Sequence, residues 1–148
     1  MKFLVFPIAI LLNLLIWNSD SDDETSQYVI ISQEKSLEKS IEDGKAVYSG
    51  FCMRCHLGEG EGVEGIYPPL ANSNWLSEKR KESIKSVKYG LKGEIVVNDK
   101  TYNNNMAAMG LSDREVADVM NYIMNDFGNQ SRDLPKVTLK EVSELTED

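Results

Sequence analysis

The hydrophobic positions of this chain fall into short runs of helical spacing, separated by glycine- and proline-rich breaks. The first run comprises Leu37, Ile41, Gly44, Tyr48 and Phe51, in steps of four, three, four and three. That spacing keeps all five on one side of an α-helix, and Ser40 with Asp43 reads as a weak capping box near its start. The helix is predicted to run directly into residue 52. Gly58 to Gly65 then reads as a loop, and the prolines of Tyr67-Pro68-Pro69-Leu70 exclude helix and set an extended segment. Trp75 to Glu78 reads as one helical turn. Lys79 to Tyr89 reads as a short helix with Ile84, Val87 and then Leu91 facing inward. Glu94 to Tyr102 reads as a small hairpin turning at Asn98-Asp99, and Asn103 to Gly110 as a loop carrying Met106 and Met109.

The last long element has the clearest signals. Ser112 and Glu115 form a capping box ahead of a one-sided stripe of Val116, Val119, Met120, Ile123, Met124 and Phe127. Gly128 is the expected C-cap, and a short amphipathic piece is expected around Val137 to Leu145. The predicted class is all-α with a minor β-hairpin, in one domain over residues 37–148 that includes a C-terminal tail.

The N-terminus has a different character. Lys2 precedes an uncharged apolar run from Phe3 to Trp17, and an acidic stretch from Asp20 to Glu24 follows. This is the pattern of a secretory signal, slightly short for a full membrane span. No A-x-A site is present, and Ser19-x-Ser21 is the best small-residue pair, so cleavage and retention as an anchor both stay open. Residues 1–19 are therefore expected to be a signal peptide or N-terminal anchor, and 20–36 a polar linker. No cysteine stands directly after the apolar run, which excludes a lipid-modified N-terminal one. The expected location is the bacterial periplasm or the outer face of the cytoplasmic membrane, with attachment through the apolar segment if it is kept.

The net charge of −8 argues against nucleic-acid partners and suits docking to a basic face. Much of the excess lies in the flanks, Asp20 to Glu24 and Glu141 to Asp148, which read as solubilising tails. The basic residues Lys79, Arg80, Lys81, Lys85 and Lys88 read as a solvated helix face.

Candidate chemistry is concentrated in five residues. Both cysteines and the only histidine lie in Cys52-Met53-Arg54-Cys55-His56, a C-x-x-C-H run with the attachment signature of a c-type haem. Two thiols three positions apart on a helical turn reach the two vinyl groups of one porphyrin, and the next residue supplies an imidazole to the iron. A structural zinc site wants four such ligands, and only three are present, crowded together. A thioredoxin-like dithiol would open a helix within a βαβ unit, for which no strands flank residue 52. A disulfide across four residues would be a poor staple.

A haem iron held by His56 leaves a sixth position. With no second histidine, the choice lies among Met, Lys, water and an open site. Met120 and Met124 sit on the apolar stripe and read as core filler, which leaves Met106 and Met109. A thioether there would raise the reduction potential and block small ligands.

Longer stretches carry a family resemblance. Gly44-Lys-Ala-Val-Tyr48, the C-x-x-C-H run, Tyr67-Pro-Pro-Leu-Ala-Asn-Ser73 with Trp75, Thr101-Tyr-Asn-Asn-Asn-Met106 and Leu111 to Val119 leading to Tyr122-Ile123 are similar to class I c-type cytochromes. In particular, they resemble the small mono-haem domains associated with nitrite reductases and quinoprotein alcohol dehydrogenases. The resemblance implies a small cytochrome c fold around one haem c, attached by two thioethers to Cys52 and Cys55. It implies Met106 as the axial partner of His56, although Ala107 stands where the family usually has proline. It also implies that Gly44 packs on Tyr122, and that a carbonyl of Pro68-Pro69 orients the His56 ring. The function implied is one-electron transfer between redox proteins, with a dehydrogenase, reductase or terminal oxidase among the candidate partners, and no catalysis by the chain itself. A subunit of a larger complex and an open-site sensor or peroxidase-like protein are the rival readings.

Overall fold

A computed structural model describes residues 35–147. The expected signal or anchor and the linker up to residue 34 lie outside the described residues. Helix α1 spans Leu37–Val47 and continues through a π-helical turn, Tyr48–Cys52, into the short α2, Met53–His56. Two further helices, α3 (Trp75–Glu78) and α4 (Arg80–Tyr89), precede a hairpin of β1 (Ile95–Val97) and β2 (Lys100–Tyr102). Helix α5 spans Asp113–Asn125, and after a 3-10 turn at Asn129–Arg132 the short α6 covers Leu139–Ser143. This is the expected small, mostly α fold with one antiparallel strand pair. None of the described helices is long and apolar enough to cross a membrane.

The central packing is α1 against α5. A Cβ on Gly44 would overlap the Asp118 carbonyl oxygen and lie 2.9 Å from the Tyr122 Cβ, so the two backbones approach only because residue 44 has no side chain. The aromatic rings of Tyr48, Tyr122 and Phe127 fill the space below, with centroids 5.0–5.5 Å apart in tilted and edge-on arrangements. Above the crossing, buried Asp118 accepts from the Ser40 hydroxyl at 2.6 Å and pairs with Lys35 at 2.6 Å. Asn121 extends the network, donating to Ser40 and to the Val137 carbonyl at 2.9 Å each.

Four local expectations are corrected. The cap of α1 is Ser36, whose side chain accepts from the Lys39 N–H. Ser40 is instead buried in the polar network, and Asp43 pairs with Lys35 and Lys39. Phe51 is 45 % exposed, and Cys52 takes the inward place. Ser40, Gly44, Tyr48, Cys52 and His56 are the buried positions, four residues apart throughout. In a 3.6-residue helix each such step would drift by about 40°, and the wider π turn takes up that drift. Third, α5 ends at Asn125, and Gly128 caps the following 3-10 turn in a left-handed conformation.

The fourth correction concerns charge. Arg80 grips Glu141 through Nε and Nη2 at 2.8 and 2.9 Å. Lys88 donates to the Val142 carbonyl at 2.8 Å and pairs with Asp113 at 2.8 Å, while the Tyr89 hydroxyl reaches the Leu145 carbonyl at 2.7 Å. The basic face of α4 therefore pins the C-terminal segment, whose Val137, Val142 and Leu145 are buried. Glu141 belongs to the fold, not to a solvated tail.

Candidate functional site

The π turn and α2 deliver Cys52, Cys55 and His56 to one wall of a cavity. Both thiols are free. His56 is buried, and its Nδ1 lies 2.9 Å from the Pro68 carbonyl oxygen. A carbonyl only accepts, so Nδ1 carries the proton and the Nε2 lone pair is left for another partner. The extended Tyr67–Leu70 segment thus holds the ring, the role that the family resemblance implies for it. Immediately after His56 the chain reverses at Leu57, with φ 64° and ψ 179°, a strained conformation for a side-chain-bearing residue. The Leu57 carbonyl is held by the Tyr48 hydroxyl at 2.7 Å, which ties this reversal to the aromatic cluster.

Two adjoining cavities share Cys52, His56, Pro68, Leu91, Ile95 and Met106 in their linings. Their empty spaces are about 590 and 920 Å³, partly open to solvent. Neither is lined by any Asp, Glu, Lys or Arg. The inner one reaches Ser83, Ser86 and Val87 of α4 and Met120 and Ile123 of α5, while the outer opens between Phe51 and Ile66, each 45 % exposed. Burial pushes the Cys52 thiol up to about 11, with Cys55 adding to the effect. Burial likewise lowers His56, partly opposed by its bond to Pro68. Both groups are thus held neutral in an apolar chamber.

Met106 also lines the chamber, from the loop after the hairpin. Its N–H and C=O pair with those of Leu91 at 2.9 and 2.8 Å, an isolated two-residue bridge. Met106 borders both cavities, Met109 only the outer one and buried Met120 only the inner one, while Met124 lies in the core away from both. The hairpin closes one side: Asn98 and Asp99 have left-handed backbones, and Ile95, Val97 and Tyr102 face the cavities or the core. These strand residues and the serines of α4 had no sequence signal as site residues beyond alternation and helical phase.

The chamber suits a porphyrin. It offers an apolar, uncharged interior, two free thiols on one turn, and a buried imidazole with Nε2 unengaged. Among the described residues no group of three or more His, Cys, Asp and Glu could hold a bare metal ion.

Comparison with known proteins agrees. The family model described as Cytochrome c matches residues 41–126. Cytochrome c-552 of Thermus thermophilus is 35 % identical over 95 residues, covering 61 % of this chain and 72 % of that protein. The fructose dehydrogenase cytochrome subunit of Gluconobacter japonicus is 29 % identical over 112 residues, 68 % of this chain but 22 % of that subunit. The cytochrome c subunit of the quinone alcohol dehydrogenase of Gluconobacter oxydans is 32 % identical over 92 residues, 60 % of this chain and 19 % of that subunit. More than half of the chain follows the family's pattern, and the protein therefore belongs to the cytochrome c family, electron carriers built on a covalently attached haem c.

Proposed function

We propose that this protein is an exported one-electron carrier with a single haem c, bound through Cys52 and Cys55 and ligated axially by His56 and Met106. The observation that carries this reading is that two thiols, an imidazole with a free Nε2 and the Met106 thioether line the same uncharged chamber, Met106 being the one described methionine that borders both of its cavities. When bound, the group supplies an Fe(III)/Fe(II) couple. Pro68 fixes the imidazole, Met106 closes the sixth position, and the apolar walls exclude water. Phe51 and Ile66 mark the mouth, where a redox partner would approach. Residues 1–19 act as signal or anchor, 20–36 as linker and 37–148 as the haem domain, in the periplasm or at the outer face of the cytoplasmic membrane. The chain's only histidine is committed to the iron, so no acid–base machinery is assigned to it.

Carbon monoxide binding to the reduced protein tests the ligand set. The wild type should bind slowly or not at all, Met106→Ala quickly, and Met109→Ala like the wild type. Rapid binding by the wild type would favour the open-site sensor or peroxidase-like reading. If both variants stay closed, neither methionine is the ligand.

A second reading is favoured by the two dehydrogenase cytochrome subunits among the relatives. In it, the same domain serves as the electron-transfer subunit of a larger dehydrogenase or reductase complex. Stoichiometric co-purification of a large partner subunit distinguishes it from a free carrier.

A further inference from the structure

We infer that Gly90, at the end of α4, is the positioning residue that sets Met106 in the chamber, an inference that rests on Met106 as the sixth ligand. Gly90 has φ 84° and ψ 177°, a region that essentially only glycine occupies. A Cβ there would lie 2.7 Å from the Met106 carbonyl oxygen, 2.9 Å from the Ala108 nitrogen and 3.2 Å from the Ala107 carbonyl carbon. All three are backbone atoms, so no side-chain rotation relieves the overlap, and the whole loop would have to retreat.

Other glycines with positive φ behave differently. Gly65, Gly93 and Gly110 have open space where a Cβ would go, and Gly60, Gly62 and Gly128 abut other segments. Gly90 alone among the described glycines gives its missing side chain's place to the methionine loop. Directly beyond it, Leu91 exchanges both main-chain hydrogen bonds with Met106. This pairing supplies order that a proline at the exposed position 107 would otherwise bring. The route of restraint runs from the C-terminal segment through Arg80, Lys88 and Tyr89 to α4, then through Gly90 and Leu91 to Met106.

The experiment compares Gly90→Ala, Gly93→Ala, Ala107→Gly and Met106→Ala in the haem-loaded protein. Intact mass and far-UV circular dichroism verify attachment and fold, and the readouts are carbon monoxide binding and reduction potential. Gly93→Ala is the control for backbone strain, since Gly93 has φ 94° and nothing within 4 Å of its virtual Cβ. Gly90→Ala should raise the open fraction by about tenfold, equivalent to about 1.4 kcal/mol, and lower the potential toward that of Met106→Ala. Gly93→Ala and Ala107→Gly should match the wild type. The inference is overturned if Met106→Ala opens the iron while folded Gly90→Ala stays closed, or if Gly93→Ala opens it as far as Gly90→Ala. Should Gly90→Ala not accumulate, Ala107→Gly decides: an opened iron overturns the inference, and a wild-type potential supports it. If Met106→Ala itself stays closed, the ligand assignment fails, and this inference with it.

Discussion

The two walls of the chamber are built in opposite ways. The histidine wall rests on the α1–α5 crossing, where Gly44, the aromatic cluster and the Ser40–Asp118–Asn121 network lock two helices together. The methionine wall rests on a loop held by one reciprocal pair of main-chain hydrogen bonds, an exposed bond from the Asn104 amide to the Ile66 carbonyl and one close glycine contact. The first buries large side chains, and its loss should register as global stability. The second buries little, and its loss should register as access to the iron with small change in unfolding free energy.

Substitutions at three positions test that division on the histidine side. Tyr48→Ala should have the largest effect. It empties a site 1 % exposed and should cost about 3–5 kcal/mol in urea unfolding, the usual range for a truncated buried aromatic. Below its transition the iron should remain closed to carbon monoxide, and an open iron in the folded variant would break the comparison. Asp118→Ala comes next. It leaves Ser40 and Lys35 without their buried acceptor. Because the Lys35 side chain is 26 % exposed, the cost should fall to about 2–3 kcal/mol, below that of a fully buried pair. Asp118→Asn, which preserves the Ser40 contact, should recover part of it.

The smallest effect concerns the capping box of α5. Hydrogen bonds from the Ser112 hydroxyl and N–H hold the Glu115 carboxyl below its ordinary range. A lowered folded-state value means the contribution is fully present above the unfolded value and is lost as pH falls through the folded one. Ser112→Ala should therefore destabilise by about 1 kcal/mol at neutral pH, and the difference from wild type should shrink in acid. A difference that grows as pH falls would contradict the assignment.

Much of this could be read in the sequence because it is locally encoded. The C-x-x-C-H spacing, the Ser112–Glu115 box, the stripe of α5 and the Asn98-Asp99 turn each carry their reason within a few residues. The misread features depend on partners far along the chain. Ser40 resembles a cap until Asp118 and Asn121 are brought against it. Phe51 fits the helical period, yet the π turn rotates Cys52 inward. Glu141 looks like part of an acidic tail until Arg80 meets it across 61 positions. Gly90 carried no signal beyond a helix end, because what it avoids is the backbone of residues 106–108.

The central claim, His56 and Met106 on the two sides of the iron, is tested most directly by the reduction potentials of wild type, Met106→Ala and Met109→Ala measured side by side. Thioether ligation raises the potential of a histidine-ligated haem, so Met106→Ala should fall well below wild type while Met109→Ala matches it. A fall in Met109→Ala with Met106→Ala unchanged would contradict the account.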